Sequence, residues 1–313
     1  MKAEIGFLNN YEVKLSKNGV YGIRGLSPFI PFMSKLTDQQ KIDIVRQYQF
    51  EGHNCATLAR LYALDNSSIR SLLLRRGVKM KSRSEARREY ELDQTFFDVI
   101  DTEERAYFLG LLYADGYNNE QRGEIHLSLQ EEDRHILDEF RRAVKSSRPL
   151  LFIDLSKRNE GKQKDVYRFD ISSHKISMRL KELGCMQAKS MILRFPTSDQ
   201  IPDHLIHHFI RGAFDGDGCF VTTNTGGDYQ QWSATIVSTE DFCHGLQRVA
   251  QEKVGISTYL SKRHKDRNDT NRNFHVSGNK QVKKFMDWLY SDAKIYFNRK
   301  HNKYQKAVKA LTA

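Results

Sequence analysis

The sequence predicts an α+β fold built from two similar αββαββα halves, with an all-α unit of three helices on the N-terminal side. Two apolar helices, at residues 106–116 and 208–218, both end in Asp-Gly. Each is followed by the same order of alternating strands and amphipathic helices. Before them, between residues 36 and 75, apolar residues recur with a helical period. A chain of 313 residues is long enough for two or three such domains.

The N-terminal quarter divides into a segment without a predicted role and a helical unit. In residues 1–32, Gly, Asn, Ser and Pro interrupt short apolar pieces, which fits a small appendage or a read-through from an upstream frame. Residues 33–80 predict three short helices. Their apolar stripes are Ile42, Val45 and Tyr48, then Leu58, Ala59 and Tyr62, then Ile69, Leu72 and Leu73. Asn66 or Ser67 is the expected N-cap of the third helix.

The third helix begins a basic stretch. Between Arg70 and Arg88 the chain has eight Lys or Arg and one Glu. Three helices that end in a basic helix resemble a helix-turn-helix, whose last helix lies in the DNA major groove. The resemblance implies DNA contacts from Arg70, Arg75 and Arg76. The alternative is a structural three-helix cap with a solvated charged face.

Composition favours a polyanionic partner and a reducing environment. The net charge is +11, which is typical of nucleic-acid-binding proteins, although a basic soluble protein can have it without such a partner. The four cysteines contain no CxxC pair, so neither a disulfide framework nor a cysteine-rich zinc site is indicated. No apolar run approaches the length of a membrane helix. We therefore expect a cytoplasmic protein with no membrane partner.

The rest of the chain contains the same order of predicted helices and strands twice. A linker is predicted at residues 81–102, the first half at 103–199 and the second half at 200–313. Asp115 and Asp217, which end the two apolar helices, lie 102 residues apart (217 − 115). This distance fits one small αββαββα unit, so we interpret the pattern as a duplication.

Small residues lie four apart on both apolar helices, at Gly110 and Ala114 and at Gly212 and Gly216. This spacing allows two helix backbones to approach closely, so we predict that the two helices pack together. The glycines that follow the helices, Gly116 and Gly218, are predicted to adopt the left-handed C′ conformation.

Asp115 and Asp217 lie where a carboxylate is unfavourable. At a helix C-terminus it faces the negative end of the helix dipole, at a cost of ~0.3–1 kcal/mol. If the helices pack together, the two carboxylates also repel one another unless a cation lies between them. Carboxylates suit Mg²⁺, which can promote phosphodiester hydrolysis, so we predict a divalent-metal site. A single helix of this kind would be more typical of a simple C-cap. Asp215, whose counterpart is Tyr113, is predicted to have a capping or packing role.

The two segments FLGLLYADG at 108–116 and IRGAFDGDG at 210–218 resemble the paired motifs of single-chain LAGLIDADG homing endonucleases. The resemblance covers roughly residues 103–310. It implies a pseudo-symmetric fold with the motif helices at its centre and two antiparallel sheets that form a saddle on DNA. It also implies that Asp115 and Asp217, with Gly116 and Gly218, hold Mg²⁺, for which Mn²⁺ would substitute.

The resemblance also implies roles around the aspartates. A lysine after the last strand of each half is expected near the scissile phosphate, and motif order gives Lys189 and Lys300. A residue after the second strand is expected to hold the attacking water. Gln130, followed by Arg134, matches that position in the first half, but the second half has Thr239 and Cys243. The departure predicts unequal halves that cut the two DNA strands at different rates.

Alternation in the predicted strands separates an apolar face from a polar face that the resemblance places on DNA. The polar face carries residue types that read base edges. These are His126, Ser128, Gln130, Arg168, Asp170, Asn273 and His275. Basic loops are expected to contact phosphates, at Lys157 and Arg158 and at Lys262 and Arg263. An ordinary solvated sheet face and solvated turns are the alternatives.

Together these features predict a monomeric, metal-dependent DNA endonuclease with a long asymmetric double-stranded target, encoded in an intron or as a free-standing phage or bacterial gene. The alternatives are a DNA-binding regulator that keeps the fold without cutting, and an intron RNA maturase. His207 and His208 are predicted to begin a helix without binding metal, because no matching histidine precedes the first motif.

Overall fold

A computed structural model describes the backbone of residues 5–8, 11–16 and 19–25, and residues 36–51, 53–80, 90–155, 164–224, 230–263 and 271–312. Its contacts divide the chain into two compact units, Met1–Arg88 and Glu89–Ala313. Each unit has a hydrophobic core of its own.

The first unit contains a three-stranded sheet that the sequence did not predict. Its strands are β1 (Ile5–Leu8), β2 (Tyr11–Ser16) and β3 (Gly19–Gly25), paired antiparallel in that order. The register of β2 against β3 shifts between Val13 and Leu15. Frequent Gly and Asn obscure the strand pattern here, because both residue types are depleted in strands.

The three predicted helices of the first unit are confirmed as α1 (Asp38–Phe50), α2 (Cys55–Leu61) and α3 (Asn66–Arg75). Their core includes the fully buried Ile44, Leu58, Ile69 and Leu73. The predicted stripe in α1 is wrong in part, because Ile42 is 51% exposed and the buried face runs through Ile44 and Tyr48, one turn apart.

The N-cap predicted for α3 is also wrong. Asp65 caps the helix, and its carboxylate accepts a hydrogen bond from the Ser68 backbone N–H at 2.8 Å. The Ser68 hydroxyl also donates to that carboxylate, at 2.6 Å. A charged acceptor at the helix N-terminus is favoured by the dipole, and with Asp65 as the cap the helix begins at Asn66, one residue earlier than an Asn66 cap and two earlier than a Ser67 cap would allow.

The second unit confirms the predicted duplicated α+β fold. The first half runs α4 (Glu103–Ala114), β4 (Gly116–Asn119), β5 (Glu124–Gln130), α5 (Arg134–Ala143), β6 (Leu151–Ile153), β7 (Val166–Ser172) and α6 (His174–Glu182). The second half runs α7 (Ile206–Asp217), β8 (Gly218–Asn224), β9 (Gln230–Thr239), α8 (Glu240–Val249), β10 (Tyr259–Lys262), β11 (Asn271–Ser277) and α9 (Asn279–Tyr290). A further helix, α10 (Asn298–Thr312), follows the repeat.

Each half contributes one four-stranded antiparallel sheet. The strand orders, β4-β5-β7-β6 and β8-β9-β11-β10, correspond element by element. The predicted alternation is confirmed in β5, where Ile125, Leu127 and Leu129 are buried and the residues between them lie on the other face. The sheets therefore each present one polar face away from the core.

The core of the second unit extends beyond the predicted domain boundary. Phe96, Phe97 and Ile100 lie in the segment predicted as linker, yet they are buried, and the rings of Phe97 and Phe140 lie 6.3 Å apart. High charge in the flanking sequence hid this small apolar cluster. Among the described helices, none is long and apolar enough to cross a membrane.

Candidate active site at the ends of the motif helices

The two motif helices touch through their glycines. A Cβ added to Gly110 would overlap the Phe209 carbonyl oxygen and lie 2.8 Å from its carbon. A Cβ added to Gly212 would overlap the Tyr107 carbonyl oxygen and lie 2.8 Å from the Leu111 nitrogen. Backbone therefore lies against backbone from both sides, as the small-residue spacing predicts.

The same contact continues to the helix ends. A Cβ on Gly216 would overlap the Ala114 Cβ and lie 3.0 Å from Asp115 Oδ2. The carboxylate of the first half thus lies against the residue before Asp217. Asp115 is the C-cap of α4, and Asp217 is the last residue of α7.

The predicted left-handed conformation after each motif helix is wrong. Gly218 has φ −84° and ψ 157°, and Gly116 is absent from the described residues with positive φ. Both glycines begin strands instead. Glycine is required there by close approach, because a Cβ would lie 2.6 Å from the Leu112 carbonyl oxygen at Gly116 and 2.5 Å from that of Phe214 at Gly218.

The two aspartates share an environment that disfavours their negative charge. Burial, followed by repulsion from Asp217, raises the pKa of Asp115 to about 6. Burial also raises the pKa of Asp217, while Lys189 and Lys300 oppose the rise. Asp115 and Asp217 are themselves exposed at the surface, so the desolvation comes from the protein packed around them. This is the charge pattern expected of a site that gains a cation.

Lys189 and Lys300, the two lysines that motif order predicts, lie beside the motif aspartates. The Lys189 ammonium donates to the Gly116 carbonyl. The Lys300 ammonium donates to the carbonyls of Phe214 at 2.6 Å and Gly216 at 3.4 Å, and to that of Gly218. Each lysine therefore reaches the backbone beside the aspartate of its own half.

The environments of the two lysines differ. Lys300 is 8% exposed, and burial lowers its pKa to about 8, although the charges of Asp215 and Asp115 oppose the fall. Lys189 is only half-buried. The ammonium of Lys300 also lies 5.4 Å from the centre of the Phe214 ring.

Two arginines, Arg299 and Arg263, also place positive charge near the aspartates, which the sequence analysis did not predict. The charge of Arg299 opposes the rise in the pKa of Asp115, and its Nε lies 2.8 Å from the buried Asp133. The charge of Arg263, predicted only as a phosphate-contacting loop residue, opposes the rise in the pKa of Asp217. The sequence signal that could have identified Arg299 is its position directly before Lys300.

The residues predicted to hold water differ between the halves, as expected from their types. Gln130 is exposed at the end of β5, and the guanidinium of Arg134 lies 4.4 Å from the Tyr167 ring centre. In the second half the Thr239 hydroxyl caps α8 and donates to the Leu193 carbonyl. Cys243 is fully buried, and burial raises its pKa to about 11.

A second cluster brings metal-binding residue types together. One ligand atom each of His207, His208 and Asp292 lie within 4.8 Å of one another. Arg211 Nη1, however, donates to His208 Nδ1 at 2.8 Å, so the neutral ring carries its proton on Nε2, which faces Asp292. His208 then offers no free lone pair. We interpret the cluster as a hydrogen-bonded network.

The polar faces of the two sheets carry the predicted base-reading side chains. In the first sheet the His126 ring stacks on Tyr117 at 4.3 Å, and Arg168 Nη2 donates to Asp170 at 3.2 Å. In the second sheet the His275 ring stacks on Tyr259 at 4.5 Å, and Asn273 donates to the Ser261 hydroxyl at 3.3 Å. Ser128 lies opposite Arg168 in the register.

Only some of the basic residues predicted to contact DNA lie in the part of the chain that the structure describes. Arg70, Arg75 and Arg76 are exposed on and just after α3. Lys262 and Arg263 are exposed at the end of β10. Lys157 and Arg158 lie outside the described residues.

Residues 205–288 match the model of a family described as LAGLIDADG-like domain. The match covers the second motif and confirms the predicted resemblance for that part of the chain. No curated protein sequence matches the chain.

Several solved structures resemble the chain at low identity. One is the I-LtrWI LAGLIDADG homing endonuclease bound to target DNA, at 10% identity and TM-score 0.46, with 66% of this chain and 89% of that one covered. Another is the homing endonuclease I-WcaI bound to its DNA recognition sequence, at 11% and 0.47, with 66% and 90% covered. A third is the N-terminal LAGLIDADG domain of DUF199/WhiA, at 15% and 0.40, with 65% and 89% covered.

Proposed function

We propose that this chain, in which residues 205–288 are a LAGLIDADG-like domain, is a site-specific double-strand DNA endonuclease that requires a divalent metal. The observation that carries the proposal is the meeting of Asp115 and Asp217 at the ends of two touching helices, with a lysine beside each. A purely structural helix interface would not need two exposed carboxylates that repel one another at its end.

The donor set fits a hard divalent cation. Two carboxylates offer oxygen ligands, and the Gly116 and Gly218 carbonyls lie next to them in the chain. Those carbonyls already accept bonds from Lys189 and Lys300, so a metal there would share or replace these bonds. When bound, Mg²⁺ or Mn²⁺ would activate water and stabilise the leaving oxygen in phosphodiester hydrolysis.

The protein's own groups would position DNA around that centre. Lys189 and Lys300 would supply positive charge beside a scissile phosphate, and Gln130 would orient water in the first half. The second half has the buried Thr239 and Cys243 instead, which supports different cutting rates for the two strands.

The polar sheet faces support a long asymmetric duplex target. The face of the first sheet contains the Arg168–Asp170 ion pair, whereas the face of the second contains Ser261, Asn273 and His275. Arginine and asparagine read different bases, so the two faces would read different half-sites. Because both halves lie in one chain, a monomer would suffice.

The three-helix unit would extend the DNA footprint as a helix-turn-helix. The exposed Arg70, Arg75 and Arg76 on the α3 side support this assignment. Deletion of residues 1–80 is expected to weaken DNA affinity and reduce its salt dependence, measured by binding titrations at several salt concentrations. An unchanged footprint and salt slope would contradict the assignment.

Cleavage of a target selected from a randomised duplex library tests the proposal. With Mg²⁺, Asp115→Asn and Asp217→Asn are each expected to slow double-strand cleavage by about a hundredfold or more, the scale of losing one charge-stabilising group. DNA affinity should change little. Asp199→Asn, at an exposed aspartate between the halves, is the matched control and should cut normally.

The same assay separates the alternatives. Tight specific binding with no nicking of any duplex by the wild type would favour a non-cleaving regulator over a nuclease. Preferential binding of a structured RNA would favour a maturase. Full activity in both aspartate variants would contradict the roles proposed for the two carboxylates.

A further inference from the structure

The position two residues before each motif aspartate is occupied by unlike residues, Tyr113 in the first half and Asp215 in the second. Both are buried, at 2% and 0% exposure, in the centre of the second unit. Each of them bonds to the backbone of the segment that leads to the lysine of its own half.

In the first half the partner segment follows α6. The Tyr113 hydroxyl donates to the Leu183 carbonyl. Gly184 has φ +95°, and a Cβ there would overlap that hydroxyl and lie 3.2 Å from Tyr113 Cζ. Tyr113 thus fixes the turn from which the chain runs to Lys189, and only glycine fits beneath it.

In the second half the partner segment precedes α10. Asp215 Oδ2 accepts a hydrogen bond from the Phe297 backbone N–H at 2.9 Å. The Phe297 carbonyl in turn accepts from the Lys300 N–H at 3.0 Å. One residue therefore links the buried carboxylate to the backbone of the lysine itself.

The hydroxyls of two tyrosines complete the coordination of Asp215. Tyr107 donates at 2.9 Å and Tyr290 at 2.6 Å. Three donors around one buried carboxylate hold it in a single orientation, since rotation would leave a buried polar group unpaired. The carboxylate is therefore a rigid anchor for Phe297.

We propose that Tyr113 and Asp215 are positioning residues, each fixing the lysine-bearing segment of its own half beside the motif aspartates. The function of those lysines rests on the proposed nuclease activity, whereas the fixing of the segments does not. A donor serves one half and an acceptor the other because the bonded backbone group is a carbonyl in the first case and an N–H in the second.

Strand-resolved cleavage tests the proposal. In a single-turnover assay with each DNA strand labelled separately, Tyr113→Phe is expected to slow the cutting of one strand about tenfold, because the lysine of that half is then less firmly positioned. The factor corresponds to the free energy of roughly one hydrogen bond. Asp215→Asn is expected to slow the opposite strand by a similar factor. The nicked intermediates of the two variants should therefore carry breaks in opposite strands, with DNA affinity nearly unchanged.

Gln247→Met is the control, because it removes a hydrogen bond and keeps the side-chain volume. Gln247 is also in the second half, and its side-chain amide donates to the Thr258 carbonyl at 3.2 Å, outside both lysine-bearing segments. This variant should lose stability without any strand bias. Equal slowing of both strands by Tyr113→Phe or Asp215→Asn, or the same bias in both, would overturn the proposal.

Hydrogen exchange on the free full-length protein provides a second readout that needs no cleavage. Tyr113→Phe should speed amide exchange around Gly184–Lys189 only, and Asp215→Asn around Phe297–Lys300 only. If the wild type cuts no DNA, the nuclease proposal fails while exchange still decides the positioning. Should Asp215→Asn fail to fold, Tyr113→Phe decides alone, and unchanged exchange at Gly184–Lys189 would overturn the proposal.

Discussion

The two halves of the second unit place the same chemical groups at corresponding positions but support them differently. In the first half Lys189 is half-buried and reaches one carbonyl. In the second half Lys300 is buried and reaches three. The segment before Lys300 is also held from the first half, because Glu103 Oε1 accepts from the backbone N–H groups of Lys294 at 2.7 Å and Ile295 at 3.2 Å.

This difference teaches that duplication preserved the backbone geometry of the helix ends more strictly than their polar support. The second half is supported by a buried ion pair between Glu103 of the first half and Arg211 of the second half. The first half is held by neutral groups, since Asn118 donates to the carbonyls of Cys185 at 2.7 Å and Ser177 at 3.0 Å. The halves are therefore not interchangeable, although their folds correspond.

The largest loss of stability is expected at the glycine contact between the motif helices, which both halves share. Gly110→Ala and Gly212→Ala should each destabilise the second unit by more than about 5 kcal/mol or prevent folding, because the added methyl meets backbone that cannot move aside. Urea unfolding of the full chain measures this.

Gly255→Ala is the control for the glycine contact. Gly255 has φ +66° but no atom within 4 Å of an added Cβ, so only backbone strain of about 1–2 kcal/mol is expected. A cost at Gly110 or Gly212 no larger than this would contradict the close helix approach.

A smaller effect should distinguish the halves. Glu103→Ala would leave the fully buried Arg211 without its carboxylate, which lies 2.6 Å from Nη2. The expected cost is about 3–5 kcal/mol in the free energy of unfolding. Glu104→Ala, at the exposed neighbour in the same helical turn, should change it by less than about 0.5 kcal/mol. Similar costs for both variants would show that the ion pair does not support the second half.

The smallest expected effect is a pH dependence at Asp115. Its folded pKa of about 6 lies above the ordinary value, so its contribution to stability is present at low pH and lost as pH rises through about 6. Without metal, Asp115→Asn should therefore be more stable than the wild type near pH 8, by no more than about 1 kcal/mol because solvent screens the exposed carboxyl. This advantage should shrink near pH 5. An advantage independent of pH in unfolding measurements would contradict the assigned shift.

Much of the fold could be predicted because its signals are local. The motif helices, the alternating strands and the order of both halves follow from residue periodicity and from the repeated Asp-Gly ends. The convergence of Asp115, Asp217, Lys189 and Lys300 followed from the repeat together with the family resemblance. Their catalytic and metal-binding roles stay predictions.

The remaining features depend on distances that no local pattern encodes. Glu103 and Arg211 are 108 positions apart in the chain, and nothing in their neighbourhoods marks them as partners. The extended conformation of Gly116 and Gly218 arises because the chain passes directly from helix to strand, whereas the sequence alone suggested an isolated helix cap. Phe96 and Phe97 were hidden by the charged residues around them.

In the proposed DNA-cutting centre, the two carboxylates on the touching helix ends would form one cation site. Electron paramagnetic resonance can count Mn²⁺ ions bound to the full chain in complex with its selected duplex. We expect Mn²⁺ bound to the wild-type complex and its loss in the Asp115→Asn, Asp217→Asn double variant, with DNA affinity retained. Equal Mn²⁺ binding by both complexes would contradict the claim.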